Sequence, residues 1–358
     1  MALIAIIVFS LSITIFYINR PQLDVEPRTL RILCAGSLLY PLERVVDAFE
    51  KANPDVNVEL EGHGSIQVIR HPTELNDPAD LLMVADYSLI PVMMYNRTIP
   101  DTVEKFADWY VRFAGNSIVL AYSDSSKYSD EINADNWYEI IAREDVKIGI
   151  PNPIIDALGY RSLMVLHLAE DYYGYTKIFE DIFGSHFDPE FDTVAVGGRT
   201  VIFVPEVEKP SDGKIYLRAS SIQIIPLLES GAIDYCFLYL SNAMQYGVSY
   251  LELPDEINLR TEDQENFYAG VQVRFQHARF KSIGLDRWGK PIHYGLTIPN
   301  NALNPSDAEV FIEYLLVGEG RDLVEALWHP VYEPSYTDNM QSLPESLVHC
   351  VVQEEGSP

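Results

Sequence analysis

Short apolar runs alternate with segments of helical periodicity along most of the chain. The runs LRILCAG (30–36) and VNVEL (56–60) predict strands, and the apolar positions 42, 45, 46 and 49 between them share one helical face. The alternation recurs in ADLLMVAD, SIVLAYS, VKIGIPN, IDYCFLYLS and HYGLTIP, with helices predicted over 162–172 and 307–316. Strands and helices that alternate in this way predict an α/β fold built from βαβ units.

Two apolar strands, SIVLAYS near residue 120 and HYGLTIP near residue 296, bracket a central block that has its own strands and helices. We therefore predict that the chain builds one lobe, crosses to a second and returns. A single large α/β domain is the alternative. The segment after Asn301 is expected to be helical, and Glu206–Gly213 is expected to be a loop. The predicted divisions are a signal or anchor segment (1–20), a tether (21–29), lobe 1 (30–118 and 294–347), lobe 2 (119–293) and a tail (348–358).

The first 18 residues carry no charged side chain. This apolar run is at the short limit for a helix that spans a membrane. It lacks a basic start and a small-x-small cleavage site, which favours an uncleaved anchor over a removed signal peptide. Both readings place the rest of the chain outside the cytoplasm, either anchored or secreted.

Charge and cysteine usage exclude several classes of function. The chain of 358 residues has 25 Lys and Arg against 53 Asp and Glu, so its formal charge of −28 would repel nucleic acid. The sequence shows no basic recognition helix, so it does not support a ligand-sensing regulator of transcription. The three cysteines, Cys34, Cys236 and Cys350, form neither a disulfide framework nor a zinc motif, and we predict that Cys34 and Cys236 are buried in strands. We expect no metal site of the protein's own.

Small hydroxyl or carboxylate residues stand at the start of four predicted helices, just after a strand or turn. They are Ser37 (after Gly36), Ser65 (after Gly64), Asp156 and Ser221. Each position suits an N-cap, where a side-chain oxygen accepts from a backbone N–H. Free amides at the positive ends of helices would bind an oxyanion without Lys or Arg. Capping alone is the alternative for each residue.

One phenol adds a further candidate donor. Tyr239 ends the predicted strand 233–239, where its hydroxyl would donate to an oxygen or else pack in the core. The aromatic residues Trp109, Tyr110 and Phe113 are predicted to pack in the core, because a single basic residue, Arg112, lies among them and cannot follow a phosphate backbone.

Catalytic motifs are missing from the sequence. Ser65 in GHGSIQ lacks the second glycine of a nucleophile elbow, and no GxGxxG follows a strand. No convincing acid pair or Ser/His/Asp set occurs. We therefore predict a binding protein and no enzyme, and keep an enzyme on the same fold as the remote alternative.

Several stretches resemble the archaeal tungstate- and molybdate-binding proteins that serve ABC importers, over about residues 30–347. They are AGSL (35–38), GSIQVIRHPTEL (64–75), VADYSLI (84–90), the long run from ADWYVRFAG (107–115) through WYEI (137–140), DALGYRSL (156–163), LLESGAIDYCFLYLS (227–241) and GKPIHYGLTIPNNA (289–302).

The resemblance implies a two-lobed type II periplasmic-binding-protein fold that closes over tungstate or molybdate and delivers it to a membrane permease. It implies no cofactor and no reaction, and a receptor of this kind is expected to be a monomer. The positions that match the family's ligand contacts are Gly36, Ser37, Ser65, Asp156, Ala157, Leu158 and Tyr239.

The sequence departs from the family at Ser221, where the resembling proteins usually have a glutamate. With the counterpart of Asp156, that glutamate approaches the metal and makes it six-coordinate. Here Asp156 is the one remaining candidate for a direct ligand to tungsten or molybdenum, and a lone carboxylate would otherwise repel a dianion. Ser221 as a donor would favour a four-coordinate anion. Another tetrahedral oxyanion, such as sulfate, is therefore an alternative ligand.

Overall fold

The computed structural model describes residues 27–276 and 278–354. The predicted anchor (1–20), most of the tether and the last residues of the tail lie outside these ranges. Within them, no helix combines the length and apolar character needed to cross a membrane.

The described strands, in chain order, are β1 (Arg28–Ala35), β2 (Val56–His63), β3 (Leu81–Val84), β4 (Val111–Gly115), β5 (Ile118–Tyr122), β6 (Ile148–Pro151), β7 (Asp192–Val196), β8 (Arg199–Val204), β9 (Ile215–Arg218), β10 (Tyr235–Tyr239), β11 (Ser249–Glu252), β12 (Val271–Phe275), β13 (Asp286–Trp288), β14 (His293–Thr297), β15 (Val331–Thr337) and β16 (Val351–Gln353).

The described α-helices are α1 (Gly36–Ala52), α2 (Ser65–Glu74), α3 (Leu89–Met94), α4 (Trp137–Ala142), α5 (Ala157–Tyr173), α6 (Ile178–Ile182), α7 (Ile225–Glu229), α8 (Leu240–Tyr246), α9 (Glu265–Tyr268), α10 (Pro305–Val317) and α11 (Glu319–Ala326). Short 3-10 turns include Ser221–Gln223, just before α7.

A seven-stranded sheet has the order β16-β15-β4-β14-β3-β1-β2. β1 pairs in parallel with both β2 and β3, so it is a central strand, and Leu30 and residues 32–35 are buried. Such two-sided burial explains its unbroken apolar sequence. Helix α1 packs against β1 and β2 through Leu42, Val45 and Phe49, which confirms the predicted apolar face.

A five-stranded sheet has the order β11-β5-β10-β6-β9. β6 runs parallel to β10 and β9, whereas β5 is antiparallel to β10 and β11. Helix α5 packs against β6, β10 and β12 and is buried on nearly all sides. Gly159 lets this helix approach the sheet closely, because a Cβ there would lie 2.4 Å from the Pro151 carbonyl oxygen.

Two parts of the fold differ from the prediction. A four-stranded sheet, β13-β12-β8-β7, was not foreseen. The expectation that the chain after Asn301 is helical is wrong for its last part, because β15 and β16 follow α10 and α11 and join the seven-stranded sheet. β15 is an irregular strand with exposed Glu333 and Pro334, so its sequence does not alternate like an ordinary strand. Glu206–Gly213 is a loop between β8 and β9, as predicted.

The chain passes from the seven-stranded to the five-stranded sheet over Asn116 and Ser117, between β4 and β5. The Asn116 Nδ2 donates to Ser241 Oγ at 2.8 Å and to the Tyr294 hydroxyl at 3.1 Å, so it bonds side chains that follow β10 and lie on β14. The predicted division at 118/119 falls near this crossing. Both divisions, at 118/119 and 293/294, stay predictions.

Candidate functional site

The four predicted helix starts follow the carboxyl ends of parallel strands. Ser37 follows β1 and Ser65 follows β2 in the seven-stranded sheet, whereas Asp156 follows β6 and Ser221 follows β9 in the five-stranded sheet. In open α/β sheets, ligands bind at this edge of the strands. The two pairs of helix starts therefore lie at the carboxyl ends of strands in two different sheets.

Close backbone contacts bring the two pairs together. The Ile66 N–H donates to the Ile155 carbonyl at 3.3 Å, and a Cβ at Gly64 would lie 2.3 Å from that same oxygen. A Cβ at Gly36 would lie 3.6 Å from Ser221 Oγ. The site is enclosed, because exposure is at most 4% for Ser37, Ser65, Asp156, Ser221 and Tyr239.

Asp156 is the one predicted N-cap of the four that caps. Its side chain accepts from the Leu158 N–H at 2.8 Å. The capping prediction is wrong for Ser37, Ser65 and Ser221, which lie inside the first turn and make no side-chain cap. The residues at the cap positions are Ala35 before α1, Gly64 before α2 and Ser220 before the 3-10 turn at Ser221–Gln223. The hydroxyls of Ser37, Ser65 and Ser221 are therefore available to other partners.

Three hydroxyl oxygens already accept a hydrogen bond from the protein. Ser37 Oγ accepts from the Tyr294 hydroxyl at 2.9 Å, and Ser65 Oγ accepts from the Ala85 N–H at 3.0 Å. The Tyr239 oxygen accepts from Arg161 Nη1 at 2.8 Å. A hydroxyl has one hydrogen to donate, and these partners do not take it. Burial also raises the pKa of Tyr239, which keeps its hydrogen in place. Each of these groups can therefore donate to a bound oxyanion.

The Asp156 carboxyl joins two of the helix starts. Besides the Leu158 N–H, it accepts from the Ser221 N–H through Oδ2 at 3.3 Å. Burial raises the pKa of Asp156 to about 6, and the two N–H donors oppose that rise. Ala157 and Leu158 are fully buried at the start of α5. The carboxyl thus accepts from two backbone amides that would otherwise be open to an anion.

Arg161 is a charged residue next to the site that the sequence pattern did not reveal. It is 2% exposed and bonds Tyr239, and its charge acts on Asp156. One signal in the sequence could have identified it, since Arg161 lies in a helix of apolar residues and has no acidic residue three or four positions away. Such an arginine needs a partner elsewhere in the fold.

The cysteines can be located in the described part of the chain. There, no group of three or more His, Cys, Asp or Glu side chains is placed to hold a metal ion. Cys34, Cys236 and Cys350 are free and buried, and the first two lie in β1 and β10 as predicted. Trp109, Tyr110 and Phe113 are core residues, which confirms that interpretation.

A profile of the family described as bacterial extracellular solute-binding protein matches residues 30–326. This chain belongs to that family. The solute-binding protein is 38% identical over 329 residues to an uncharacterized solute-binding protein of Methanococcus maripaludis, covering 92% of this chain and 94% of the relative. It is 37% identical over 301 residues to the molybdate/tungstate-binding protein WtpA of Pyrococcus abyssi, covering 82% of each chain. These relatives confirm the resemblance seen in the sequence.

Solved structures agree on the fold. The periplasmic molybdate-binding protein of Azotobacter vinelandii superposes with a TM-score of 0.55 at 16% identity, covering 85% of this chain and all of that one. Likeness at this identity concerns architecture alone, and it confirms the two-lobed periplasmic-binding-protein fold. The family is one of extracellular transport proteins, so this solute-binding protein acts outside the cytoplasm.

Proposed function

We propose that this solute-binding protein captures tungstate or molybdate in the enclosed site and delivers it to an ABC permease. The observation that carries the proposal is the arrangement of Ser37, Ser65 and Tyr239, whose oxygens already accept hydrogen bonds and whose hydrogens are left to donate. Converging donors in a buried site suit an anion that carries no hydrogen of its own. The molybdate/tungstate-binding relative at 37% identity supports this choice of ligand.

The residues proposed to bind the oxyanion are those predicted from the sequence. The donors are the hydroxyls of Ser37, Ser65, Ser221 and Tyr239 together with the backbone at Gly36, Ala157 and Leu158. The Leu158 N–H would exchange its bond to Asp156 for one to the anion. Asp156 either ligates the metal directly or binds in its protonated form, since a free carboxylate beside a dianion is repelled. The lobes of the cleft are residues 30–118 with 294–347, and residues 119–293.

Titration calorimetry of the purified protein with tungstate, molybdate, sulfate and phosphate tests the proposal. We expect tungstate and molybdate to bind more tightly than the other two anions. The variant Ser65→Ala should bind them about tenfold more weakly, because one donor to the oxyanion is lost. Ser123→Ala, in a loop outside the site, is the matched control. If none of the four anions binds, or if phosphate binds best, the proposal is wrong.

Sulfate is the second candidate ligand, because Ser221 occupies the position of the family's glutamate. We predict that Ser221→Glu raises the ratio of tungstate to sulfate affinity by about tenfold or more, since a second carboxylate can ligate tungsten but repels sulfate. Competition of the two anions in calorimetry measures this ratio. Ser230→Glu adds the same charge at an exposed position and serves as the control. An unchanged ratio would show that position 221 does not determine selectivity.

Several features of the biological role belong to the same proposal. The N-terminal segment 1–20 would anchor the protein to the membrane, and the receptor would act as a monomer without a cofactor and without catalysis. The permease would contact exposed residues of both lobes. Under this proposal, replacing Asp156 changes oxyanion binding. In an enzyme on the same fold, the same replacement would abolish turnover instead.

A further inference from the structure

Arg161 bonds groups from both sheets with a single nitrogen. Its Nη1 donates to the Ala85 carbonyl at 2.7 Å and to the Tyr239 hydroxyl at 2.8 Å. Ala85 follows β3 of the seven-stranded sheet, whereas Tyr239 ends β10 of the five-stranded sheet. The guanidinium therefore lies across the cleft, and separation of the two sheets would break its bond to Ala85.

The backbone of Ala85 extends this link to a second proposed oxyanion donor, Ser65. Its carbonyl accepts from Arg161, while its N–H donates to Ser65 Oγ at 3.0 Å. Arg161 thus connects Ser65 on one side of the site with Tyr239 on the other. It orients the Tyr239 hydroxyl by donating to its oxygen. It orients the Ser65 hydroxyl indirectly, by fixing the backbone of Ala85, whose N–H donates to Ser65 Oγ.

Asp86 provides a parallel contact across the cleft. The Tyr160 hydroxyl of α5 donates to Asp86 Oδ2 at 2.7 Å, and Asp86 follows β3 directly after Ala85. The Nη2 of Arg161 lies 3.8 Å from the same oxygen, beyond hydrogen-bond distance. Within the described residues, this buried nitrogen has no hydrogen-bond partner. An unpaired buried donor of this kind is costly unless something else is bound nearby.

Positive charge exceeds negative charge around Asp86. Lys290 Nζ lies 3.3 Å from Asp86 Oδ1, so the carboxylate faces both Lys290 and Arg161. Burial alone would raise the pKa of Asp86, but these two cations hold it well below its usual range. Among the described residues, three cations, Lys290, Arg161 and Arg287, act on Asp86. Asp156 is the second carboxylate that interacts with Arg161, so three cations stand against two carboxylates. A protein with a formal charge of −28 has a local excess of positive charge next to its binding site.

We propose that Arg161 is a positioning residue that couples closure of the cleft to the charge of the ligand. Its guanidinium bonds both sheets in the closed arrangement, and its incompletely balanced charge there favours a dianion over a monoanion of the same shape. The inference rests on the proposed oxyanion function and adds to it a basis for selection by charge. Buried charges interact strongly because the surrounding dielectric is low.

Perrhenate is the probe for charge, because it has the tetrahedral shape of tungstate and one negative charge fewer. In the wild-type protein, we expect tungstate to bind more tightly than perrhenate. Arg161→Gln should weaken tungstate binding by about thirtyfold and perrhenate binding by only about threefold, so the ratio of affinities falls about tenfold. Arg161→Lys keeps the charge but loses the fork of donors, so it should keep the ratio while weakening both anions.

Controls separate this inference from folding and from the proposed function. Arg97→Gln removes one charge from an ion pair with Glu74, between the segment after α3 and the end of α2, and should leave the ratio unchanged. Circular dichroism and thermal melts show whether Arg161→Gln folds, and the ratio from Arg161→Lys remains decisive if it does not. Equal losses for both anions in Arg161→Gln, or a reduced ratio in Arg161→Lys, would overturn the inference. Absence of any tungstate binding to the wild-type protein would instead contradict the proposed function.

Discussion

Asp156 has an environment that opposes its own ionisation. It is buried, its pKa is raised to about 6, and its nearest partners are the backbone N–H groups of Leu158 and Ser221. The unfolded chain would release this proton near the usual value of 3.8. Between these two values the folded state binds more protons than the unfolded state, so this group's contribution to stability decreases as the pH rises and is constant above about 6.

Asp156→Asn is therefore expected to stabilise the ligand-free protein at neutral pH. The change in pKa from 3.8 to about 6 corresponds to about 3 kcal/mol, and the lost bond to Ser221 reduces the expected gain to about 1–2 kcal/mol. Urea denaturation at about pH 4 and pH 7.5 measures it, and the advantage of the variant should appear only at the higher pH. The same difference at both values would contradict this account.

Some residues of the site could be predicted from the sequence and others could not. Ser37, Ser65 and Asp156 follow apolar strands directly, so their positions at one sheet edge follow from the βαβ pattern. The direction of their hydrogen bonds depends on Ala85 and Tyr294, which are distant in sequence. Arg161 was missed because its partners come from two other strands, and no local spacing reveals them.

At the scale of the secondary-structure elements, Gly64 and Gly159 are similarly crowded but have different roles. Gly64 precedes α2 and approaches Ile155 across the cleft, whereas Gly159 lies in α5 and approaches Pro151 within one sheet-and-helix layer. A methyl group at either position would overlap a carbonyl oxygen. At Gly64 the cleft can open to avoid that overlap, but at Gly159 the helix itself must move.

We predict that Gly64→Ala weakens ligand binding by about 100-fold, because closure would have to overcome an overlap worth about 3 kcal/mol. The free energy of unfolding without ligand should change by less than about 1 kcal/mol, since the open form relieves the contact. Gly159→Ala is the matched variant and should lose about 3 kcal/mol of stability instead. Calorimetry and urea denaturation of both proteins measure these effects, and loss of stability in Gly64→Ala would contradict the assignment.

Strands and helices could be predicted where both faces of a strand are buried or where buried positions repeat with the period of a helix. The central strands β1 and β10 and the apolar face of α1 have patterns that fit only one kind of element. In the four-stranded sheet, β7 is exposed along its whole length and gives no burial pattern. β12 (VQVRF) does alternate apolar and polar positions, so the sequence carried a strand signal there that was missed. β16 is only three residues long, and it is specified by its pairing with β15 rather than by its sequence.

At the scale of the whole molecule, the charge of −28 opposes the approach of a dianion. Salt screens this long-range repulsion, whereas Arg161 and Lys290 act within the enclosed site, where screening is weak. We predict that the association rate of tungstate rises about threefold between about 20 and 200 mM sodium chloride, while the dissociation rate stays nearly constant. Stopped-flow tryptophan fluorescence measures both rates. An association rate that falls with salt would show that the local positive charge dominates the approach.

Two of the three buried cysteines, Cys34 and Cys236, give the two larger sheets a chemical marker each. Cys34 lies in the central strand of the seven-stranded sheet and Cys236 in the five-stranded sheet, and burial raises the pKa of both thiols. A thiol reagent can modify them only when the strand that carries them opens. The labelling rate of each cysteine, resolved by mass spectrometry of peptides, would therefore report the opening of each sheet separately, with and without ligand, in one unmodified protein.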